Sequence, residues 1–517
     1  MDSPAVLAGA GVVLLGVSYA LYSMSSSSSA SSPSAPAAKS TSSAAAPAKS
    51  TNGVINVYFG SQTGTAEGFA DQIRAEDHGY DVKVHDLEDF DADSASEHAA
   101  GMKAAKLNLF LLATYGEGEP TDNAAEFVRL LKAGELDVAG APFAVFGLGN
   151  TQYEHYNAMG KLADGKLEKA GAERKVPMGM GDDDKSMEED WEAWKEKLWS
   201  AFSTGSAKAS KGPGKIKPTF DYKEAPAGSK PKSVPADKRQ PSTRFYFEAV
   251  ECECKVNKEL RSPTDGGSTK HIEVSLPPSL KYNTADNSAV LPRNDAALVK
   301  SLAASLDLDL SKTFELAPHD GKHMFPTPCT VSDLLTKYTD ITGPLRRADL
   351  KALSAYCSDP LDSAVLLRLA SKEGKAEYLE KIEKPQVNFH HLATSMVKSL
   401  SLTVPDFVAV TSRLQPRYYT ISSSSTKHPT ALHMTVSVIE GKNALTGRPF
   451  AGVCSKHLQE ATKCDVFVKE STFKLPEDNK TPVVMIGPGT GIAPMRALLQ
   501  EVRAQASGAG GKGGGVR

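Results

Sequence analysis

Apolar and polar positions follow two different rhythms along the chain, and the change between them divides it. From Val54 onward, short apolar runs alternate with stretches of helical periodicity. VINVYF leads into a helix near Ala66–Ala75, LNLFLLA into one near Asn123–Ala133, and FAVFGL into one near Met159–Ala170. Continuous apolar runs, each followed by a helix, predict a doubly wound parallel sheet. Past about residue 240 the order changes. Strand-like runs RFYFEAVE and HIEVSL precede a mostly helical region of about 295–410, and strand-like runs resume at RYYTISSS, HMTVSVIE and DVFVKES. A β-barrel interrupted by a helical insertion produces that order. At Val483 a parallel-strand pattern begins again in VVMIGPGTGIAP, ahead of a glycine-rich SGAGGKGGGVR.

Two stretches carry neither rhythm. Residues 25–53 are Ser, Ala and Pro with two lysines, and cannot form a core; about 204–240 is rich in Gly, Pro, Lys and Ser. The predicted organisation is therefore an apolar segment at 1–24, a flexible tether at 25–53 and an α/β domain at 54–203. A linker at 204–240, a barrel with its insertion at 241–480 and the opening of a further nucleotide-binding domain at 481–517 follow. A length of 517 residues agrees with three or four domains.

The run Ala5–Tyr22 has no charge between Asp2 and Lys39. About 18 to 20 apolar residues suffice to span a bilayer. A cleaved signal peptide needs a basic leading region, whereas the only early charged side chain here is acidic. The lysines lie on the C-terminal side, which predicts a single span with the bulk of the chain in the cytosol. A signal peptide and an incidental apolar tail are the competing readings.

Charge adds an asymmetry that the net value of −3 conceals. Residues 54–203 hold 29 Asp and Glu against 14 Lys and Arg, a balance of −15, so the rest of the chain carries +12. An acidic module tethered to a basic one favours docking between them and draws basic partners to the acidic face; a solvated acidic surface is the bland alternative. The six cysteines, at 252, 254, 329, 357, 454 and 464, show no CxxC pair and no metal-ligand spacing. They fit a reducing compartment, and no metal site is expected.

Three loops carry the chemistry of the first domain. Ser61-Gln62-Thr63-Gly64-Thr65-Ala66 follows a strand and opens a helix. Such a loop holds a phosphate through backbone N–H groups, hydroxyls and the helix N-terminus. Without the Gly-Lys-Ser/Thr ending of a triphosphatase loop, it suits one terminal phosphate held by dipoles. Ala113-Thr114-Tyr115-Gly116 and the stretch from Gly147 to Tyr153 lie at the ends of the next strands, where α/β sheets bind ligands. Each sets an aromatic beside glycines, so Tyr115 and Tyr153 are placed to stack on a planar ring.

SQTGTAE, ATYGEGEPTDNA, FGLGNTQYEHYNAMGK and GDDDKSMEEDWEAW resemble, in order and spacing, the FMN domain of the NADPH–cytochrome P-450 reductase family. The resemblance implies a flavodoxin-like domain in which Ser61 to Ala66 hold the FMN phosphate and Tyr115 and Tyr153 flank the flavin. Leu148, Gly149, Asn150, Thr151, Gln152, Tyr153, Glu154, His155, Tyr156, Asn157 and Asp183 complete that site. The run Asp182–Asp184 with Glu188–Asp190 is, in that family, part of the face shown to basic haem proteins; charge at a helix N-terminus accounts for it equally well.

Arg417-Tyr418-Tyr419-Thr420 resembles the Arg-x-Tyr-Ser/Thr motif of ferredoxin-reductase-like FAD barrels. It offers a guanidinium for the pyrophosphate, a ring for the flavin face and a hydroxyl near flavin N5. Thr420, the expected catalytic residue, departs from the usual serine, and its extra methyl group is expected to slow hydride transfer. Gly452-Val453-Cys454-Ser455 resembles the loop over the FAD pyrophosphate, and Thr435, Val436 and Ser437 a strand beside the flavin. A tyrosine of the animal enzymes is replaced by Gly441. Lys270 sits where the family has an NADPH-contacting arginine, and Thr490 in Gly487–Pro494 would face NADPH at the opening of the family's NADP(H) domain.

The resemblance implies electron transfer from NADPH through FAD and FMN to membrane haem proteins of the P-450 type, at the endoplasmic reticulum membrane. It runs to about Glu501, and the family continues for well over a hundred residues beyond. On that basis 481–517 is expected to be poorly ordered and NADPH binding weak, with an incomplete gene model as the favoured cause. The rival readings are a soluble diflavin relative and a flavodoxin-type carrier without enzymatic activity.

Overall fold

The computed structural model describes residues 52–508 apart from 63, 76–78, 117, 185–186, 203–213, 241–244 and 479–480. The expected membrane span at 1–24, nearly all of the tether, Thr63 and the glycine-rich stretch from 509 lie outside these residues. Among the described residues, no helix is long and apolar enough to cross a membrane.

The first domain is built on a parallel sheet. Its strands run in the order Asp81–Asp86, Val54–Gly60, Leu107–Tyr115, Pro142–Gly149, after which Glu173–Arg174 and Gly179–Asp182 both pair with Pro142–Gly149. Alternation along Val54–Gly60 sends Ile55, Val57 and Phe59 to one face, where Phe69, Phe146, Trp191 and Trp194 pack. Tyr58 goes to the other, with Phe90, Phe110, Phe127 and Phe143. Both faces are covered, which is why these strands read as unbroken apolar runs. Trp191 stacks on Phe69 at 4.8 Å between ring centres. The chain order of the strands reverses between Val54–Gly60 and Leu107–Tyr115, so a crevice opens at their C-terminal ends.

The 204–240 segment differs from its expected role as a linker. Phe220–Glu224 forms a strand antiparallel to Thr313–Pro318, which also pairs with Cys329–Thr330. Phe220 is buried in the core of the helical region, with Leu302, Phe314, Leu350 and Phe407. That one aromatic anchor outweighs the surrounding lysines and prolines, because burying a side chain of this size is worth about 1.5–3 kcal/mol.

The second domain is a six-stranded antiparallel sheet. Its order is Arg417–Thr420, Asn287–Leu291, Lys463–Lys469, Val250–Glu259, Ser268–Ser275, Ala431–Val438. The two end strands are consecutive in the chain, and Ser422 N–H donates to His433 O at 2.7 Å, so the sheet curls until its edges meet. Ile272, Val274, Leu432, Met434 and Val436 fill its interior. RFYFEAVE is only half strand: Phe245–Glu248 is a helical turn and the strand begins at Val250. Its ladder with Lys463–Lys469 ends at the Val250–Val466 pair, and among the described residues no strand pairs with what precedes it.

VVMIGPGTGIAP departs further from expectation. Residues 483–486 form no strand; Val484 is 85% and Ile486 78% exposed. A strand requires a ladder partner, and none of the described strands runs beside it. The helix Ile492–Gly508 is nevertheless held in place, against the expectation of poor order. Ala493, Ala497 and Leu498 are buried, and Glu501 accepts from Ser424 Oγ (2.6 Å), Thr284 Oγ1 (2.7 Å) and Thr426 Oγ1 (2.8 Å). It has no core of its own and uses the barrel's.

Candidate functional site

At the crevice of the parallel sheet, Val54–Gly60 ends in the hydroxyl-rich turn. Ser61 Oγ accepts from Gly64 N–H at 3.0 Å, and Gly64 adopts φ +87°, closing the turn into the helix Thr65–Ala75. Ser61 N–H donates to Asn123 Oδ1 (2.9 Å), and Gln62 Nε2 to Asp122 Oδ2 (2.9 Å). The turn is thus braced by the segment leading into the next helix. Ala66 is buried beneath it.

The next strand delivers Ala113, Thr114 and Tyr115, with Thr114 Oγ1 accepting from Met159 N–H at 3.2 Å. Beyond Gly116 the chain turns at Gly118 (φ +100°), where a Cβ would stand 2.8 Å from His155. The third loop, Leu148 to Asn157, is held from below. At Gly149 a Cβ would meet Asn157 N at 2.7 Å. Thr151 donates from N–H and Oγ1 to the two oxygens of Asp182, at 2.9 and 2.8 Å, and Asn157 Nδ2 reaches Gly181 O at 3.0 Å. Asn150, Gln152, Glu154, His155 and Tyr156 fill out this loop. Asp182 is buried, whereas Asp183 is exposed and contributes its N–H to Gly149 O. In a run of three aspartates the strand register alone picks out the one that points inward, so Asp182 could not be singled out from composition.

Tyr115 is 50% and Tyr153 68% exposed. Two open rings, a closed hydroxyl turn and the buried Asn157 Oδ1, which has no partner, are the donor and acceptor set a flavin mononucleotide requires, and the residues fit that group.

In the barrel, Arg417–Thr420 pairs with Asn287–Leu291, setting Thr420 opposite Asn287. Thr420 Oγ1 donates to Asn287 Oδ1 at 3.2 Å; Asn287 is a partner that only the register reveals. Arg417 Nη1 donates to Gln415 O at 2.7 Å. Tyr419 lies against Cys454, and burial raises both groups, the Cys454 thiol to about 11. Cys454 is a packed thiol, not a nucleophile. A Cβ on Gly452 would meet Ser455 Oγ at 2.8 Å, and Ser455 Oγ also accepts from Ile439 N–H at 3.1 Å. Gly452, Val453 and Ser455 therefore form one closed turn beside Thr435, Val436 and Ser437. The buried Ser422 Oγ is without a partner and Tyr418 is open to solvent; these groups fit a dinucleotide flavin. Lys270 is paired with Glu259 at 3.6 Å on the strand beside Val436. Thr490 is exposed in the turn before Ile492–Gly508, a turn that packs against the strand Ala431–Val438.

One side chain joins the two clusters. Lys469 pairs with Asp122 of the first domain, and its Nζ lies 5.8 Å from the Tyr115 ring and 5.3 Å from the Tyr418 ring. The ring of one flavin cluster and the ring of the other therefore face a single cation, at cation–π range. Sequence alone left Lys469 unremarked, because its first-domain partner Asp122 is 347 positions away.

The Flavodoxin family profile matches residues 57–194 and the FAD binding domain profile residues 247–457. Fold and sites thus define a flavoprotein with separate FMN and FAD domains. The chain is 37% identical over 478 residues to an NADPH–cytochrome P450 reductase of Drosophila melanogaster, covering 88% of this chain and 69% of that protein. It is 35% identical to the human enzyme of that name and 34% to the rat enzyme, with 88% of this chain and 70% of each relative covered. The chain belongs to the NADPH–cytochrome P450 reductase family, and its activity is electron transfer from NADPH through FAD and FMN.

Proposed function

We propose that electrons leave the chain from the FMN site to membrane haem proteins of the cytochrome P-450 type, docked on the acidic face of the flavodoxin domain. The names of the relatives and the acidic surplus of 54–203 support this. Ala5–Tyr22 is proposed as a single-pass anchor in the endoplasmic reticulum membrane, with the flavin-bearing part in the cytosol. The functional divisions are proposed at 54–203 for FMN, 241–480 for FAD and 481 onward for the start of the NADP(H) portion.

When bound, FAD takes up an electron pair from the nicotinamide and FMN releases electrons singly. The protein's part is positioning. Ser61 to Ala66 would hold the FMN phosphate, Tyr115 and Tyr153 the two faces of its ring, and Leu148–Asn157 with Asp183 its edge. Arg417 would pair with the FAD pyrophosphate beneath Gly452–Ser455, Tyr418 and Tyr419 would bracket the ring against Thr435–Ser437, and Thr420 would present its hydroxyl at the reacting edge. Lys270 and Thr490 are assigned to NADPH. Lys469, poised between Tyr115 and Tyr418, carries this reading: it supports two flavin sites that open toward one another.

Release of one FMN and one FAD per chain on denaturation, together with reduction of a P-450 by the membrane fraction, is the expected result. Asp184→Asn, which removes the charge but keeps the Oδ1 that accepts from Gln152, should depress haem-protein reduction with flavin content unchanged. A colourless chain that takes up neither flavin on reconstitution contradicts the reading.

A further inference from the structure

Beside the FAD cluster lies a group of ligand-type side chains that electron transfer does not use. His271 and Glu273 are two apart on the strand Ser268–Ser275 and so share a face. The antiparallel register sets His433 directly opposite Glu273. His271 Nε2 is 2.9 Å from Glu273 Oε1, and His433 Nε2 is 3.7 Å from Glu273 Oε2. All three ligand atoms lie within 4.8 Å of one another.

We propose that His271, Glu273 and His433 form a binding site for a divalent transition-metal ion of the zinc class, with one coordination position left open. Metal–ligand distances of about 2.0–2.1 Å place the donors of a tetrahedral site about 3.3 Å apart. The two separations, to the two oxygens of the Glu273 carboxylate, bracket that value, and with any one oxygen as the ligand no pair needs to close by more than about 1.5 Å. Two imidazoles and a carboxylate suit zinc, cobalt or nickel, whereas calcium and magnesium require a shell of oxygens. Two hydrogen-bonded strands fix the three Cα positions, so the donors converge before any ion arrives.

The site is coupled to the helix Ile492–Gly508. Both terminal nitrogens of Arg496 lie 3.4 Å from His433 Nδ1, and Arg496 also donates to Ser422 O. An arginine offers only donors, so Nδ1 accepts and the ring proton sits on Nε2, toward Glu273. A metal at Nε2 requires the other neutral tautomer: the Nε2 proton leaves to solvent and Nδ1 takes one up, and an Nδ1–H cannot face a guanidinium. Arg496 must then release His433, and the helix loses one of its attachments to the barrel. Metal and guanidinium thus compete for one imidazole.

The test is titration of the flavin-loaded chain with cobalt(II), following its visible absorption beyond the flavin bands, with zinc as competitor. One equivalent is expected to bind with the intense spectrum of low coordination number. His271→Ala and Glu273→Gln should each weaken binding at least about tenfold, since the loss of an outer-shell partner alone costs about that much. Both positions are only partly buried, so these variants avoid the packing risk of replacing the enclosed His433, and flavin content confirms their fold. Arg496→Met should tighten binding severalfold; equal affinity there overturns the competition. Absence of cobalt binding at millimolar concentration, or unchanged affinity and spectrum in His271→Ala and Glu273→Gln, overturns the site.

Discussion

Single residues set the geometry of each flavin cluster. Asp182 takes two bonds from Thr151 and is buried. Asp182→Ala strands both donors, and hydrogen bonds to a charged group are worth about 1.5–3 kcal/mol. FMN affinity should therefore fall roughly tenfold to a hundredfold while FAD stays bound, as read by the fluorescence of released flavin. Thr420 is the corresponding residue in the barrel. Thr420→Ser keeps the bond to Asn287 and removes the methyl group, so FAD reduction by a reduced nicotinamide should be faster in stopped-flow measurements. Thr420→Val loses the bond, worth about 1 kcal/mol, and should slow the reaction several-fold. The identity of the motif residues was legible from local order alone. Their partners were not: Asn287 and Lys469 meet the motifs through sheet register and domain contact, and nothing local marks them.

Elements show where local pattern and tertiary context part. The parallel strands were readable because both faces are buried and the apolar run is unbroken. Residues 483–486 carry the same pattern but have no ladder neighbour among the described residues, so propensity had nothing to act on. The His271-x-Glu273 face was likewise in plain view, but its third member lies on a strand 160 positions away. The helix Ile492–Gly508 stays through what the barrel lends it, and Glu501 is the main polar contact. Burial pushes the Glu501 carboxyl up, but the hydroxyls of Ser424, Thr284 and Thr426 and the amide of Gln505 outweigh this and hold it below its ordinary value of 4.5. A carboxyl depressed in the folded state contributes above its unfolded pKa, and the contribution is lost as pH falls through the folded one. Attachment of the helix should therefore hold at neutral pH and weaken below about pH 4.5. Glu501→Gln should raise amide exchange along 492–508 about tenfold at neutral pH, for a charged hydrogen bond worth about 1.5 kcal/mol; exchange equal to the parent chain would assign the attachment to Ala497 and Leu498 instead.

On the scale of the whole molecule, the charge asymmetry visible in the sequence becomes a set of contacts. Asp89 pairs with Lys322 at 2.6 Å, Glu189 with Lys375 at 2.6 Å and Arg347 at 3.7 Å, and Asp122 with Lys469. In each the acid comes from the flavodoxin domain and the base from the remainder. Apart from the Arg347 side chain, which is 12% exposed, these groups are about a quarter to a half open, and such pairs contribute about 0–1 kcal/mol apiece and are screened within about 10 Å at 0.1 M salt. The two domains should separate as ionic strength rises, seen as a larger radius of gyration in solution scattering, and Lys322→Glu with Lys375→Glu should shift the transition to lower salt. A radius independent of salt in both proteins would mean that apolar contacts hold the closed form.

Phe220 determines how far such a separation can go. Because its strand is sewn into the sheet of the helical region, and Ile216 N–H already donates to the Tyr356 hydroxyl there at 2.9 Å, only the thirteen residues between Phe202 and Ile216 separate the two anchored parts of the chain. Fully stretched, that length reaches about 50 Å. Any haem acceptor served by the FMN edge must therefore come inside this radius, so the chain can lend out its flavodoxin module without ever letting go of it.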